Sequence, residues 1–182
     1  MFDFIALAHE CSPDVAPYTM QRIVQAESSF NPNAIGVVGT HLERQPRDRQ
    51  EAIATAQWLE ANGYNYSVGL AQINRTNFAK YGLTLKTAFE PCPNLHAGVQ
   101  ILKDCYSRAA YMRRAEQPAL LDALSCYYSG DFKTGYNLGY VLRVSGDPST
   151  APKGPRALTP APRKTDARPA TPASATTTAL MF

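Results

Sequence analysis

The sequence predicts a mainly α (α+β) domain over residues 1–147 with a small β element, and a non-globular tail over 148–182. Three observations predict it. Apolar residues recur at helical spacing from Pro17 to Val144. β-branched residues bracketed by glycines occur in one short stretch, around Val37 and Val38. Composition then changes abruptly after Asp147: the last 35 residues hold 7 Pro, 8 Ala and 7 Thr, with nothing large and apolar beyond isolated leucine before Leu180, Met181 and Phe182. Such a segment cannot repay the entropy of ordering and reads as an extended tail.

Pro17 suits a first helical position, and Met20, Ile23, Val24 and Glu27 then fall on one face. Asp48 to Leu59 reads as a charged surface helix ending before Asn62-Gly63, with Asp48, Glu51 and Glu60 as solubilising charges. A long helix is expected from about Asn94 to Arg113, with Leu95, Val99, Leu102, Cys105, Tyr106 and Ala109 inward. Pro118 opens the next, carrying Leu121, Leu124 and Tyr128, and Asn137 to Val144 offers Leu138, Val141 and Leu142 for a last helix. Ile35 to Leu42 is the candidate extended stretch.

At 45% hydrophobic and 18% charged, the chain is not disordered throughout. Its net charge of +3 does not indicate nucleic-acid binding, because up to Asp147 there are 13 basic against 14 acidic residues and the excess sits in the tail. No run reaches the ~18 apolar residues of a membrane span. Met1 to Ala8 is too short, and Asp3 too acidic, for a full signal peptide. Taken alone, that start reads as cytosolic or as a chain whose leader is missing.

The four cysteines, Cys11, Cys92, Cys105 and Cys126, form no CxxC pair, and with three histidines they do not suggest zinc. They are either two disulfides of an oxidising compartment or four small buried thiols. If residues 114–117 form the turn of a helical hairpin, Cys105 and Cys126 lie at similar distances either side and face each other. Cys11 and Cys92 then pair by elimination.

Three polar clusters carry the chemistry. Glu27 lies seven residues after Met20 on the apolar stripe, so packing brings its carboxyl into or beside the core and raises its pKa toward that of a general acid. Alternatively the helix ends at Ser28 or Ser29 and Glu27 merely reaches solvent. Gln72 and Asn74, within Gly69-Leu70-Ala71-Gln72-Ile73-Asn74, offer amides suited to sugar hydroxyls and N-acetyl groups, or belong to an ordinary loop. Tyr127 and Tyr128, in Cys126-Tyr127-Tyr128-Ser129-Gly130, stack on a ligand or cap a core. His9, His41 and His96 have no nucleophile context.

In this order the three clusters resemble the soluble lytic transglycosylase family, and most closely its VirB1-like branch of peptidoglycan-cleaving proteins in type IV secretion systems. The likeness covers residues 1 to about 146. It rests on the Glu-Ser of Ala26-Glu27-Ser28-Ser29-Phe30-Asn31-Pro32, on Gly69, Leu70, Gln72 and Asn74 of a Gly-Leu-x-Gln-x-Asn motif, and on Tyr127 and Gly130 of a Tyr-Asn-Ala-Gly motif. Tyr128 departs from that last motif, standing where most relatives have Asn.

The resemblance implies a goose-lysozyme-like domain with a saccharide groove. It implies cleavage of the MurNAc-GlcNAc β-1,4 bond of peptidoglycan glycan strands to 1,6-anhydromuramyl ends, without water, cofactor or metal. Glu27 would act first as acid and then as base, Ser28 would hydrogen-bond near the carboxylate or substrate, Gln72 and Asn74 would line the cleft, and Tyr127 would hold the carboxyl. It also implies a periplasmic location, where disulfides form, and other secretion-system subunits as partners. Two alternatives remain at this point: a hydrolytic lysozyme, and a glycan-binding or assembly component with vestigial activity.

Overall fold

The computed structural model describes residues 3–113 and 115–151. In order they form α1 (Phe4–Cys11), α2 (Pro17–Ser28), β1 (Ile35–Val37), α3 (Arg49–Ala61), β2 (Tyr66–Val68), β3 (Ile73–Asn74), α4 (Pro91–Met112), α5 (Glu116–Ser129), α6 (Thr134–Asn137) and α7 (Tyr140–Ser145). The strands make one antiparallel sheet in the order β1-β2-β3, with Ile35 opposite Val68 and Val68 opposite Ile73. The mainly helical α+β expectation holds.

Two apolar clusters share α4. One joins Phe4, Met20, Ile23, Val24, Leu95, Val99, Leu102 and Leu124 from α1, α2, α4 and α5, with Val141 of α7. The other packs α3 and the sheet, through Ala52, Ala56, Leu59, Tyr66 and Ile73, against Ala97 on a different face of α4. Helices α4 and α5 pack side by side, and α5 begins at Glu116, two residues before the expected Pro118. The Cα atoms of Cys105 and Cys126 are 5.7 Å apart across that pair and those of Cys11 and Cys92 are 4.9 Å apart, both as disulfides.

Several expectations need correction. Helix α1 is a core element rather than a short apolar start: Phe4, Ala8 and Cys11 are buried. Helix α4 begins three residues before Asn94, because Pro91 and Pro93 occupy a first turn whose N–H groups need no helical partner. The last helix is broken. Gly139 adopts φ +72°, separating α6 from α7, so Leu138 is 61% exposed and Tyr140 takes the buried place instead. The single expected extended stretch gains two partner strands.

The surface charges do more than solubilise. Asp48 caps α3 through the Glu51 N–H at 2.9 Å, Glu51 pairs with Arg44, and Glu60 with Arg75. Of the expected tail, residues 152–182 lie outside the described residues. Pro148–Thr150 forms a 3₁₀ turn in which Thr150 is buried, so packing extends past Asp147. Among the described residues no helix is long and apolar enough to cross a membrane.

Candidate active site

Helix α2 ends at Ser28, and the next two residues, Ser29 and Phe30, both have positive φ, at 51° and 64°. Left-handed backbone at two consecutive non-glycine residues is unfavourable and persists only where the surroundings enforce it. Phe30 supplies part of that enforcement by packing edge-on against Phe4, with ring centroids 5.2 Å apart. The turn leaves Glu27 in the last helical turn, half-buried, on the wall of a cavity of about 350 Å³. Val37, Val38, Gln72, Tyr127 and Tyr128 also line this cavity, and among the described residues no second carboxylate does. It adjoins a larger groove of about 990 Å³, which shares Val38, Tyr127 and Tyr128 with it and continues past Asn74 and Thr76.

Burial pushes the Glu27 carboxyl up to about 7, and a hydrogen bond from Tyr140 and the charge of Arg143 oppose that rise. The Tyr140 hydroxyl donates to Glu27 Oε1 at 2.5 Å. Burial also raises the phenols of Tyr140 and Tyr127 well above their ordinary value, so both stay neutral and able to donate. Tyr128, 42% exposed, stacks on Tyr140 with centroids 4.6 Å apart.

The three sequence clusters converge on one loop, residues 69–72, where the two apolar clusters meet. From α2, the Ser28 hydroxyl donates to the Leu70 carbonyl at 2.8 Å. From α5, the Tyr127 hydroxyl donates to the Ala71 carbonyl at 2.7 Å. From α4, the buried Asn94 accepts from the Ala71 N–H at 2.7 Å and donates to the carbonyls of Val68 at 2.9 Å and Ala88 at 2.8 Å. Gln72, at φ +47°, donates to the carbonyls of Ala34 and Gly69. Gly69 is needed twice over: its φ is +80°, and a Cβ there would overlap the Asn94 amide.

The sequence-stated roles divide accordingly. Glu27, Gln72, Tyr127 and Tyr128 come together around one cavity. Asn74 lines the neighbouring groove, its amide donating to Asn65 and Ser67 and its carbonyl accepting from Thr76. Ser28 bonds to backbone carbonyls rather than to the carboxylate, and the hydroxyl on Glu27 belongs to Tyr140, not Tyr127. Two contributors were missed. Tyr140 carried no signal because an unbroken 137–144 helix assigns the inward positions to Leu138, Val141 and Leu142. Asn94 did carry one: a polar residue that falls among the buried positions at the start of a long amphipathic helix needs partners.

Replacing Asn94 with Ala is expected to cost about 3 kcal/mol, since it strands one buried N–H and two carbonyls. Denaturant unfolding measures it, and a loss under ~0.5 kcal/mol would contradict the locking role.

The family model of the transglycosylase SLT domain matches residues 4–144, which contain every residue just described. The chain belongs to that family. It is an enzyme of the peptidoglycan lytic transglycosylase class, with the lysozyme-like fold of SLT domains. It is similar to the type IV secretion system protein virB1 of Brucella suis biovar 1, 52% identical over 171 residues, covering 91% of this chain and 71% of the relative. The protein of the same name from Brucella abortus biovar 1 (strain 9-941) is 53% identical over 160 residues, covering 84% of this chain and 67% of the relative. The protein virB1 of Agrobacterium fabrum is 37% identical over 144 residues, covering 78% and 58%. No solved structure gives a significant match. In this transglycosylase the Glu-Ser, Gly-Leu-x-Gln-x-Asn and Tyr-containing motifs are thus parts of a single loop-locking arrangement beside one acid.

Proposed function

We propose that the enzyme cuts the β-1,4 bond between N-acetylmuramic acid and N-acetylglucosamine without water, leaving 1,6-anhydromuramyl ends, and that it does so in the periplasm, opening the wall for a type IV secretion machine. The observation that carries the chemistry is a carboxyl pushed up to about 7 in a cavity lined, among the described residues, by no other carboxylate; the one carboxylate lining the adjoining groove, Asp104, is paired with Lys80 and Tyr81. Glycosidases that hydrolyse with a carboxylate pair need two such groups flanking the bond. A single group suffices if it acts twice.

Glu27, protonated near neutral pH, gives its proton to the glycosidic oxygen as the C1–O bond breaks. The substrate's own N-acetyl group shields the developing positive charge at C1. The Glu27 carboxylate then takes the proton of the muramyl C6 hydroxyl, whose oxygen closes on C1. The acid is regenerated and no water is consumed. Tyr140 holds the carboxyl through the cycle, Gln72 and Asn74 face the sugar chain, and Tyr128 offers it an aromatic surface. Tyr127 and Ser28 act at one remove by fixing the 69–72 loop. The periplasmic setting agrees with the two disulfides, and the secretion context with the names of the relatives.

Mass spectrometry of digested peptidoglycan tests the reading, since anhydro products are lighter than hydrolysis products by one water, about 18 Da. Hydrated ends alone would make the enzyme a lysozyme, and intact strands would make it a binding component.

Tyr140→Phe removes a hydrogen bond that favours ionised Glu27, so the carboxyl pKa rises further. The alkaline limb of the pH-rate profile should move to higher pH while kcat falls about tenfold, the worth of one ~1.4 kcal/mol interaction. An unmoved limb would show that Tyr140 does not govern the acid.

A further inference from the structure

Helix α7 is six residues long, with a left-handed glycine at each end, Gly139 at φ +72° and Gly146 at φ +69°. Fewer than two turns do not hold a helix by themselves, so its position is set by what it packs against. Val141 and Val144 are buried in the cluster that also takes in Met20, Ile23 and Val24 of α2. Such burial is non-directional: it keeps α7 on the core without fixing how far it slides or turns. Tyr140 needs finer placement, because a displacement of about 1 Å takes an O–H···O bond out of range.

Two directed contacts join α7 to α2. One is the Tyr140 hydroxyl on Glu27. The other is Arg22, whose Nη1 donates to the carbonyls of Val144 at 2.9 Å and Ser145 at 2.7 Å. Glu27 follows Arg22 by five residues on α2, while Tyr140 precedes Val144 and Ser145 by four and five on α7. The contacts therefore run in opposite directions along the two helices and stand about 7 Å apart on each. A single contact would let α7 pivot, whereas a second one at that distance fixes slide and turn together. The Arg22 end is also the natural anchor, since the last carbonyls of a helix lack helical donors and favour a cation. Gly146 leaves room for it: a Cβ there would come 3.0 Å from Nη1. Arg22 lines neither the Glu27 cavity nor the groove.

We propose that Arg22 is a positioning residue for the reaction: by clamping the end of α7 to α2 it sets the register that places the Tyr140 hydroxyl on Glu27. The proposal rests on Glu27 as the acid that Tyr140 holds. The titratable and charged groups that face Glu27 are Tyr140 and Arg143 from α7 and Tyr127 and Tyr128 from α5. Among the described residues β1, β2 and the 69–72 loop bring no ionisable side chain to the cavity. Of these groups it is the Tyr140 bond that depends on fine placement. The charge of Arg143 acts over a longer range and changes little when α7 shifts by about 1 Å.

Two variants test the clamp from its two sides. Arg22→Gln removes the charged fork, and Gly146→Ala displaces the guanidinium while keeping its charge. Each should lower kcat on glycan strands about fivefold, leave KM within about twofold, and move the alkaline limb of the pH-rate profile upward, as Tyr140→Phe does. Added to Tyr140→Phe, each should lower kcat by less than about twofold more, because the bond it protects is already gone. Carbon-13 NMR titration of the Glu27 carboxyl reads the same pattern without substrate. The carboxyl should titrate at higher pH in each single variant than in wild type, and no higher in the double variants than in Tyr140→Phe alone.

An unmoved limb and an unmoved Glu27 titration in Arg22→Gln would overturn the clamp. So would an equal fold-loss of kcat in the wild-type and Tyr140→Phe backgrounds, which would make Arg22 a contributor to stability alone; a melting scan of each variant identifies that case. Wild-type enzyme that cuts no glycan, or a Glu27→Gln variant that cuts fully, would instead overturn the functional reading beneath the proposal, and the NMR titration would then decide the clamp by itself.

Discussion

Glu27→Gln is expected to lower strand cleavage by at least about 10²-fold while making the protein more stable above neutral pH. Gln retains the shape and can still accept from Tyr140, but it has no proton to give. The stability effect follows from the same burial. In the folded chain the carboxyl titrates at about 7, against 4.5 as the ordinary value. Between these pH values the native state holds a proton that the unfolded state has released, so stability falls as pH rises through this window.

Above pH 7 the full penalty is in place, of the order of 3 kcal/mol at ~1.4 kcal/mol per unit. Below pH 4.5 it is absent. The Gln variant never carries it. Its melting midpoint should match wild type at pH 4 and exceed it at pH 8, and cleavage by wild type should decline as pH passes 7. Full activity in the variant would remove Glu27 from the mechanism, and equal midpoints at pH 8 would show the carboxyl to be solvated.

The largest loss of stability is expected from the disulfide between Cys11 and Cys92. It joins residues 81 apart in sequence, against 21 for Cys105 and Cys126. On the chain-entropy account the longer loop contributes about 4.5 kcal/mol and the shorter about 3.4 kcal/mol. Replacing Cys11 and Cys92 together with Ser should therefore destabilise more than replacing Cys105 and Cys126, measured by denaturant unfolding of the two double variants. The functional consequences should differ in the opposite sense. Cys105 and Cys126 line the groove beside Asn74, whereas Cys11 and Cys92 tie α1 to the first turn of α4, away from its lining. A larger loss from the 105–126 pair would show that the unfolded chain retains structure around the α4–α5 hairpin.

The amino-acid sequence by itself determined the elements whose signals are local. Periodicity located α2, α3, α4 and α5, and the same stripe that buries Met20, Ile23 and Val24 carried Glu27 to the edge of the core. The pairing of Cys105 with Cys126 followed as well, although α4 ends at Met112 and α5 begins at Glu116, so the two cysteines stand at unequal distances from the helix ends. The resemblance carried by three ordered motifs named Glu27, Gln72, Tyr127 and Tyr128, which the structure gathers around one cavity, and Asn74, which lines the adjoining groove.

Tertiary structure alone decided how those motifs act. Tyr140 meets Glu27 across 113 residues, Ser28 meets Leu70 across 42, and Arg22 meets Val144 across 122. No periodicity encodes such pairings, because each depends on where a whole helix comes to rest after two apolar clusters have packed. The break at Gly139 shows the difference most directly. An eight-residue apolar pattern is compatible with one helix or two, and only a left-handed residue at Gly139 turns Tyr140 inward onto the acid while leaving Leu138 in solvent.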